Sequence, residues 1–373
     1  MLPKKLEFFI NDPHYFRAHR QHVIERLAEH FDITINMPND GETVSSVPIR
    51  DLPLTAHRLA LGTDILTIVW IFLRLLVTRP DIVYAVTAKT CVMTGFAIRA
   101  LRLLSFGTIN PVAVFTFPGL GRGLKPLKPS IWQFLVIFLV RLALKNEAYR
   151  FTFETKEDCD DLGKILGLDM RFSLVAAGTG LDLNRFRVSD RPREGRVNVL
   201  FAGRLLKSKG IFEFVSTAER FAGQSANICF TACGWASQTS DCLTPSEIEE
   251  LRCNDSINFL GMVNDMPALL ATTDIVFLPT VYPEGIPRIL IEGAATENVL
   301  ITYEFGGSRV LIEHGKTGFF LNRDLTVDEI IQSVIDADDR GRKMGQAARA
   351  KVVSLGMDVK SVQSQFVQYF AKL

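Results

Sequence analysis

Short apolar runs alternate with helix-periodic stretches along almost the whole chain. In the first half, KLEFFI, DITINM, PDIVYAV and VAVFTF are rich in β-branched and aromatic residues, and helical stretches such as RAHRQHVIERLAEH separate them. In the second half, RVNVLFAG, NICFTACG, SINFLG, DIVFLPT and NVLITY repeat the same rhythm. This alternation predicts parallel sheets that are covered by helices on both faces.

The alternation occurs twice, and a polar stretch with proline and glycine, at 179–195, interrupts it. Such a stretch is typical of an interdomain linker. We therefore predict two doubly wound, Rossmann-like α/β domains, at 1–187 and 188–355. An amphipathic helix at 356–373 is expected to pack back on the first domain. Because ligands of such sheets bind outside the carboxyl ends of the strands, the site is expected in a cleft between the two domains.

Two helical stretches are unusually apolar. ILTIVWIFLRLLV (65–77) and IWQFLVIFLVRLAL (131–144) each contain two polar residues, one of which is arginine. Both are shorter than the roughly 18 residues that a membrane-spanning helix needs. We interpret them as buried helices packed on a sheet. The alternative is a helix that shows one face to a membrane surface, which Arg122, Lys125 and Lys128 before the second stretch favour.

The formal net charge of +1 conceals an uneven distribution. Residues 1–150 carry 18 Lys and Arg against 11 Asp and Glu, whereas the remainder carries 24 against 30. The basic first part favours a phosphate-bearing partner, but no nucleic-acid reader motif accompanies it, so no nucleic acid partner is expected. Six cysteines without metal-like spacing, and a first segment that reads as a strand and not as a signal peptide, predict a cytoplasmic protein.

The stretch YPEGIPRILIEG places two carboxylates, Glu284 and Glu292, around the start of a predicted helix. Pro287 suits the first helical position, since it lacks an N–H that would be unpaired there. Free backbone N–H groups of Gly285, Ile286 and the residues after Pro287 could hold an anion or a sugar hydroxyl. Eight positions correspond to about 2.2 helical turns, so both carboxylates are expected on one face, where they could bracket an extended ligand. Simple capping of the helix is the alternative.

A second candidate element is FAGRLLKSKGIFEF at 201–214. A predicted strand ends there, Gly203 permits a tight turn, and Arg204 and Lys209 flank the start of the next helix. A guanidinium and an ammonium at a helix start make a good diphosphate clamp. A surface turn with three cations is the alternative interpretation.

Together, GRLLKSKG and PEGIPRILIEG resemble motifs of the retaining glycosyltransferases of family four, which adopt the two-domain GT-B architecture. PDIVYAVTAKT, FPGLGRG, GTGLDLNRF, INFLGMVNDM and HGKTGFFL also resemble family segments in the expected order. The resemblance therefore covers nearly the whole chain.

The resemblance implies roles for individual residues. Arg204 and Lys209 would bind the diphosphate of a nucleotide-sugar donor, Glu292 would hold its ribose hydroxyls, and Glu284 would hold the transferred sugar near its reacting carbon. The candidate catalytic residues are thus Glu284, Arg204 and Lys209. The candidate donor-binding residues are Gly203, Arg204, Lys209, Gly285, Ile286, Pro287, Arg288 and Glu292. The two cations would stabilise the leaving diphosphate without a metal, and no cofactor is expected.

A narrower resemblance is to the bacterial branch that extends undecaprenyl-diphosphate-linked sugars for surface polysaccharides or glycoproteins. YFRAHRQHVIERLAEHFDITI, VTAKT, GLG, GTGLDL and the arginine after EGIP carry it. It implies a UDP-hexose or UDP-N-acetylhexosamine donor, a lipid-diphosphate-linked saccharide acceptor, and a peripheral position on the inner face of the plasma membrane. Lys89, Arg122 and Lys125 are the candidate ligands of the lipid diphosphate. Lysines that merely aid solubility are the alternative.

The sequence departs from the family at two places. FTFPGLG lacks the histidine that many members carry after this strand, and His14 and His19 are candidates for a related polar contact. In GGSRVLIEHG, the residues Ser308, Arg309 and Val310 stand where related sequences often carry an acidic residue.

Two other functions stay open. One is a cytosolic glycosyltransferase with a soluble acceptor. The other is a non-catalytic nucleotide-sugar-binding protein, which is disfavoured because all four charged candidate residues are present: Arg204, Lys209, Glu284 and Glu292. A nicotinamide dehydrogenase lacks support, because no G-x-G-x-x-G follows the first predicted strand.

Overall fold

Each half of the chain builds its own parallel sheet. The computed structural model describes residues 3–54, 61–120, 124–125, 131–188, 195–222, 227–236, 241–282, 284–337, 339 and 341–373. Unit 1 comprises Met1–Gly180, Pro283–Gly285 and Val359–Leu373, and unit 2 comprises Leu181–Tyr282 and Ile286–Asp358. The first division thus falls after Gly180, within the predicted linker and before the expected boundary at 187.

The sheet of unit 1 contains seven strands among the described residues. They are β1 (Lys5–Ile10), β2 (Asp32–Met37), β3 (Ile49–Asp51), β4 (Ile82–Val86), β5 (Val112–Phe117), β6 (Arg150–Phe153) and β7 (Leu174–Val175). All neighbours pair in parallel, in the order β3-β2-β1-β4-β5-β6-β7. The order reverses between β1 and β4, which is the point where open α/β sheets bind ligands.

The sheet of unit 2 contains six strands among the described residues. They are β8 (Val197–Ala202), β9 (Ile228–Cys233), β10 (Asn258–Gly261), β11 (Ile275–Leu278), β12 (Val299–Thr302) and β13 (Phe319–Phe320). They are again all parallel, in the order β10-β9-β8-β11-β12-β13. The order reverses between β8 and β11, as in a Rossmann fold.

Helices connect most of the strands. In unit 1 they are α1 (Pro13–Tyr15), a π-helical segment (Phe16–Arg20), α2 (Gln21–Leu27), α3 (Leu61–Thr78), α4 (Ala88–Leu104), α5 (Ile131–Leu144) and α6 (Lys156–Leu166). In unit 2 they are α7 (Ile211–Ala222), α8 (Pro245–Arg252), α9 (Met266–Ala271), α10 (Arg288–Ala295), α11 (Gly306–Leu311), α12 (Val327–Asp336) and α13 (Arg342–Ser354). The last helix, α14 (Val359–Phe370), belongs to unit 1. The predicted alternation of strands and helices is confirmed.

The two faces of the first sheet are covered by different helices. Successive side chains of a strand point to opposite faces, so Phe8 and Phe9 enter separate buried clusters. Phe9 lies in the cluster with residues of α3, α4, α5 and α6. Phe8 lies in the cluster with residues of α2 and α14, where the Phe370 ring packs 5.1 Å from the ring of Tyr84. The C-terminal helix is therefore part of the core of unit 1.

The two unusually apolar stretches form α3 and α5, and each buries only one face. Ile71 and Leu75 of α3 and Ala143 and Leu144 of α5 are buried, whereas the opposite sides of both helices carry exposed apolar residues. The interpretation as buried helices packed on a sheet therefore holds for one face of each helix, and the other face is exposed. Within the described ranges, no helix combines the length and the apolar character that crossing a bilayer requires.

We predict that Gly345→Ala destabilises unit 2. A Cβ at Gly345 in α13 would lie 1.9 Å from the carbonyl oxygen of Glu297, so backbone would have to move. Overpacking of this kind lowers the free energy of unfolding by about 1–3 kcal/mol. Chemical denaturation followed by circular dichroism measures the change. Gly62→Ala is the matched control, because a Cβ there meets no atom of the described residues within 4 Å. Equal effects of the two substitutions would contradict the packing.

Candidate functional site

The residues singled out in unit 2 lie at the carboxyl ends of two neighbouring strands. β8 and β11 pair directly, with Val199 opposite Ile275. Gly203 and Arg204 follow β8, and the chain that leads into α10 follows β11. Because the strand order reverses here, the connections leave the sheet on opposite sides and a crevice opens between them. The sheet topology therefore brings both candidate motifs to one place.

Two cations of the first motif meet the ring of Tyr282. The guanidinium carbon of Arg204 lies 5.3 Å from the ring centroid, and Nζ of Lys209 lies 5.7 Å from it. An aromatic face attracts cations at such distances. Arg204 is half-buried and Lys209 is only 6% exposed, so both charges are partly shielded from water. This geometry gathers two cationic side chains around one ring in a partly desolvated place.

A close backbone contact fixes Lys209. The residue ends a short 3₁₀ helix, Lys207–Lys209, and Gly210 follows with φ of 84°. A Cβ at Gly210 would lie 2.1 Å from the carbonyl oxygen of Pro279, so both the conformation and the contact require glycine. The two connections are also tied by hydrogen bonds, because Val281 N–H donates to the Ser208 carbonyl at 2.9 Å. Lys209 is thus placed by backbone geometry.

Glu292 is buried in α10 and pairs with an arginine of the same helix. Nε of Arg288 donates to Oε1 of Glu292 at 2.7 Å, and Glu292 is 7% exposed. Burial raises the pKa of the Glu292 carboxyl, and the charges of Arg288 and Arg185 oppose that shift. After burial itself, the negative charge of Glu292 contributes to raising the pKa of Cys233 to about 12. Arg288 and Glu292, which the sequence predicted as donor ligands, therefore form an ion pair with each other.

The start of α10 differs from the prediction. Pro287 occupies the N-cap, and the helix begins at Arg288. Glu284 therefore lies outside the helix, in a segment that bends at Gly285 and Ile286, and the expectation that Glu284 and Glu292 share a helical face is wrong. The backbone N–H of Gly285, expected to be free for a ligand, donates to the Pro118 carbonyl at 2.9 Å.

Glu284 and Gly285 belong to unit 1, where they pack against the chain after β5. A Cβ at Gly285 would lie 2.2 Å from the Pro118 carbonyl oxygen and 2.5 Å from Oε2 of Glu154. A Cβ at Gly119 would lie 2.6 Å from the Gly285 nitrogen. Glycine at both positions thus permits direct backbone contact. This contact fixes the half-buried Glu284 next to it.

A buried ion pair lies behind this contact. Glu154, just after β6, accepts a hydrogen bond from Nη2 of Arg20 at 3.4 Å, and both side chains are almost fully buried. Arg20 ends the π-helical segment, and its guanidinium lies over the rings of Tyr15 and Phe366. Burial opposes the charge of Arg20, but Tyr15, Tyr84 and Glu154 together raise its pKa above the usual value. The pair thus lies directly behind the Gly285 contact, since Oε2 of Glu154 would be 2.5 Å from a Cβ at Gly285.

The candidate acceptor ligands have carboxylate partners. Nζ of Lys89 lies 2.8 Å from Oδ1 of Asp64. Nζ of Lys125 lies 2.7 Å from Asp161 and 3.0 Å from Asp158. Burial acts to lower the pKa of Lys125, but these two carboxylates raise it above the usual value. Both charges are therefore largely offset within unit 1. Arg122 lies outside the described residues.

Ser308 and His19 have structural partners. The Phe305 backbone N–H donates to the Ser308 hydroxyl oxygen at 2.9 Å, which caps the start of α11, and this hydroxyl lies within 3.0 Å of the Tyr303 and Phe305 carbonyl oxygens. Nδ1 of His19 lies 3.1 Å from the Thr179 hydroxyl, whereas His14 is exposed. Ser308, which stands where related sequences often carry an acidic residue, thus serves as a helix cap.

The sequence alone did not single out three further residues. Tyr282 precedes PEGIP directly, and an aromatic residue between two predicted ligand groups was the available signal. In unit 1, Asn11 and Thr87 follow β1 and β4 at the switch point, and the Thr87 hydroxyl donates to Asn11 Oδ1 at 2.5 Å. Thr87 has φ of 79°, which β-branched residues rarely adopt. Polar residues directly after two buried strands were the available signal for this pair.

Known proteins share sequence with this chain. Residues 184–351 match the family model for glycosyl transferases group 1. The capsular polysaccharide biosynthesis glycosyltransferase CapM of Staphylococcus aureus is 20% identical over 326 residues, covering 84% of this chain and 81% of CapM. The Escherichia coli UDP-Gal:alpha-D-GlcNAc-diphosphoundecaprenol alpha-1,3-galactosyltransferase is 22% identical over 333 residues, covering 83% and 81%.

A solved structure shares the fold. Anabaena HepE, in complex with UDP and glucose, superposes with a TM-score of 0.74 at 16% identity, covering 99% of this chain and 100% of HepE. This likeness and the strand orders of the two units confirm the predicted fold class, GT-B with two Rossmann-like domains.

We predict opposite pKa shifts for two glutamates of unit 2. Carbon-detected NMR titration should place the pKa of the Glu292 carboxyl above 4.5 and that of Glu247, which Lys207 and the Thr244 cap lower, at about 2. Because the folded-state pKa of Glu292 exceeds the unfolded value, its contribution to stability is present below about pH 4.3 and is lost as pH rises through the folded-state pKa. Arg288→Gln should raise the pKa of Glu292 further. A Glu292 pKa below that of Glu247 would contradict the burial.

Proposed function

We propose that the protein is a retaining glycosyltransferase that moves a hexose or N-acetylhexosamine from a UDP-sugar to a lipid-diphosphate-linked saccharide, in assembly of a bacterial surface polysaccharide such as capsule or O-antigen. The observation that carries the proposal is the placement of Arg204 and Lys209 around Tyr282 at the switch point of unit 2. This cluster lies within the segment that matches glycosyl transferases group 1. The UDP and glucose bound to HepE support a UDP-sugar as donor.

The chemistry of sugar transfer explains why cations are needed there. Breaking the bond between a sugar and a diphosphate builds negative charge on the leaving phosphate and positive charge on the anomeric carbon. Fixed cations in a partly desolvated site stabilise the first charge without reorganisation. Arg204 suits this task, because it forms no ion pair with any residue that the structure describes, and its charge is held over an aromatic face. We expect the reaction to need no metal ion.

The two glutamates have separate roles in this proposal. Glu292 holds the ribose hydroxyls of the donor, since a carboxyl group accepts two hydrogen bonds and the charge of Arg288 opposes the rise in its pKa that burial causes. Glu284 orients the transferred sugar or stabilises the positive charge at its reacting carbon. The glycine contacts of Gly285 and Gly119 hold the backbone at this position, so the carboxylate is preorganised.

The acceptor is inferred from a relative and from charge. The Escherichia coli relative is named for a diphosphoundecaprenol-linked sugar acceptor. The first 150 residues have an excess of basic residues, which suits a phosphate-bearing acceptor at the inner face of the plasma membrane. One observation favours the second candidate, a soluble acceptor: the carboxylate partners of Lys89 and Lys125 reduce what these lysines can offer a lipid diphosphate.

A transfer assay tests the proposal. Purified protein is incubated with a panel of nucleotide sugars and with undecaprenyl-diphosphate-linked monosaccharide in detergent, with EDTA present. We expect transfer from one UDP-sugar, with the anomeric configuration of the donor retained. Transfer to water-soluble sugars alone would favour the soluble-acceptor candidate, and UDP binding without any transfer or hydrolysis would favour a non-catalytic binder.

We predict that Arg204→Ala weakens UDP binding at least tenfold and lowers transfer at least as much. Loss of one charged hydrogen bond to a phosphate costs about 1.5–3 kcal/mol, and about 1.4 kcal/mol corresponds to a factor of ten. Arg323→Ala is the matched control, because Arg323 is an exposed arginine of the same unit that pairs with Glu304. Calorimetric titration with UDP measures the affinity of both variants, and initial rates measure their transfer. Unchanged affinity in Arg204→Ala would show that the diphosphate is held elsewhere.

We predict that Glu284→Gln lowers the rate of transfer by about two orders of magnitude or more and leaves the affinity for UDP unchanged. The substitution removes a negative charge near the reacting carbon, and that charge stabilises the transition state and not the bound nucleotide. Glu304→Gln, which removes a carboxylate paired with Arg323, is the control. Initial rates at saturating donor measure the effect. A large loss of UDP affinity with an unchanged rate would assign Glu284 to binding of the nucleotide.

A further inference from the structure

The outer sides of two helices in unit 1 carry an apolar stripe. In α5, exposed apolar residues recur at the spacing of a helix face: Ile131, Phe134, Leu135, Phe138, Leu139 and Leu142. Phe134 is 66% exposed and Phe138 is 60% exposed. Large aromatic side chains seldom remain in water in an uninterrupted row, and contiguous exposed apolar patches mark interaction sites. This stripe is therefore a candidate binding surface.

Helix α3 carries a similar stripe, including Ile65, Leu66, Val69 and Leu73. Helix α4 contacts both α3 and α5 and joins them. At Gly95 of α4, a Cβ would lie 2.8 Å from the Leu144 side chain, so α4 and α5 are closely packed. The three helices thus lie side by side on the same face of the sheet. We call the exposed apolar side chains of α3 and α5 the apolar face.

The charge of this region indicates the partner. Residues 61–145 carry ten Lys and Arg against two Asp and Glu, and three of the ten, Arg74, Lys89 and Lys125, pair with carboxylates of unit 1. Both acids have partners within unit 1, since Asp64 pairs with Lys89 and Asp81 accepts the Lys5 backbone N–H at 2.8 Å. Arg79 after α3 and Lys145 after α5 are exposed cations at the ends of the apolar helices. A partner must therefore be apolar at its centre and anionic at its edge.

An anionic lipid bilayer has both properties. Amphipathic helices lie in the plane of the interface, with apolar side chains among the acyl chains and cations at the headgroups. A second copy of this chain fits less well, because a twofold contact would bring the same cations together. We propose that the apolar face docks on an anionic membrane surface, with Arg79 and Lys145 at the headgroups. This deepens the proposed function, on which it rests for its biological purpose, by naming the surface that meets the membrane.

Sedimentation of the full-length protein with lipid vesicles tests the docking. We expect at least tenfold tighter binding to phosphatidylcholine vesicles that contain phosphatidylglycerol than to phosphatidylcholine alone. The double variant Phe134→Gln/Phe138→Gln should bind the anionic vesicles at least tenfold more weakly, because both rings leave the acyl region. Arg79→Gln/Lys145→Gln should reduce the preference for anionic vesicles. These positions are exposed, so folding is expected to be intact and is checked by circular dichroism.

The control Met262→Gln/Val353→Gln changes two exposed apolar residues of unit 2 and should leave vesicle binding unchanged. Absence of binding to anionic vesicles, equal binding by the phenylalanine variant, or a dimer that this variant dissociates would each overturn the inference. Transfer to the detergent-dispersed acceptor is measured in parallel. Transfer without vesicle binding overturns the docking surface and leaves the proposed function intact, whereas vesicle binding without transfer supports the surface and contradicts the proposed function.

Discussion

The parallel pairing of β8 with β11 is the constraint on which the candidate site depends. The pairing makes both strands end at one edge of the sheet, and the reversal of strand order there opens a crevice between the two connections. The backbone contact of Gly210 with Pro279 then joins the connections. The strand pairing and this backbone contact bring Arg204, Lys209 and Tyr282 together. Their side chains can therefore hold a fixed position while charge develops on a bound group.

The two units treat their cations differently. In unit 2, Arg204 lies over an aromatic ring, which attracts a cation but leaves its charge available to an anion. In unit 1, Lys89 and Lys125 lie beside carboxylates at less than 3 Å, so they contribute little to the local potential. The sequence shows similar clusters of basic residues in both units. The distribution of acids in space, and not the number of bases, decides how much of each positive charge stays available to an anion.

Most of the fold and the position of the candidate donor motif could be predicted from the sequence. Buried parallel strands are short β-branched runs in the sequence. The end of each run therefore predicts the carboxyl end of a strand, and Arg204 and Glu284 follow two of these ends. The use of the Gly285 N–H could not be predicted, because its partner Pro118 lies far away in the sequence. Helix α10 also begins one residue later than its sequence pattern indicated, with Pro287 at the N-cap and Arg288 as the first helical residue. The carboxylate partners of Lys125 could not be predicted either, because they lie in α6, far from Lys125 in the sequence.

The most direct test of the central claim compares the affinities of UDP and UMP for the wild-type protein by calorimetric titration in the presence of EDTA. If Arg204 and Lys209 hold a diphosphate without a metal, removal of the β-phosphate should weaken binding at least tenfold, because a charged hydrogen bond contributes about 1.5–3 kcal/mol. Equal affinities for UDP and UMP, or binding of UDP that EDTA abolishes, would contradict the account of this site.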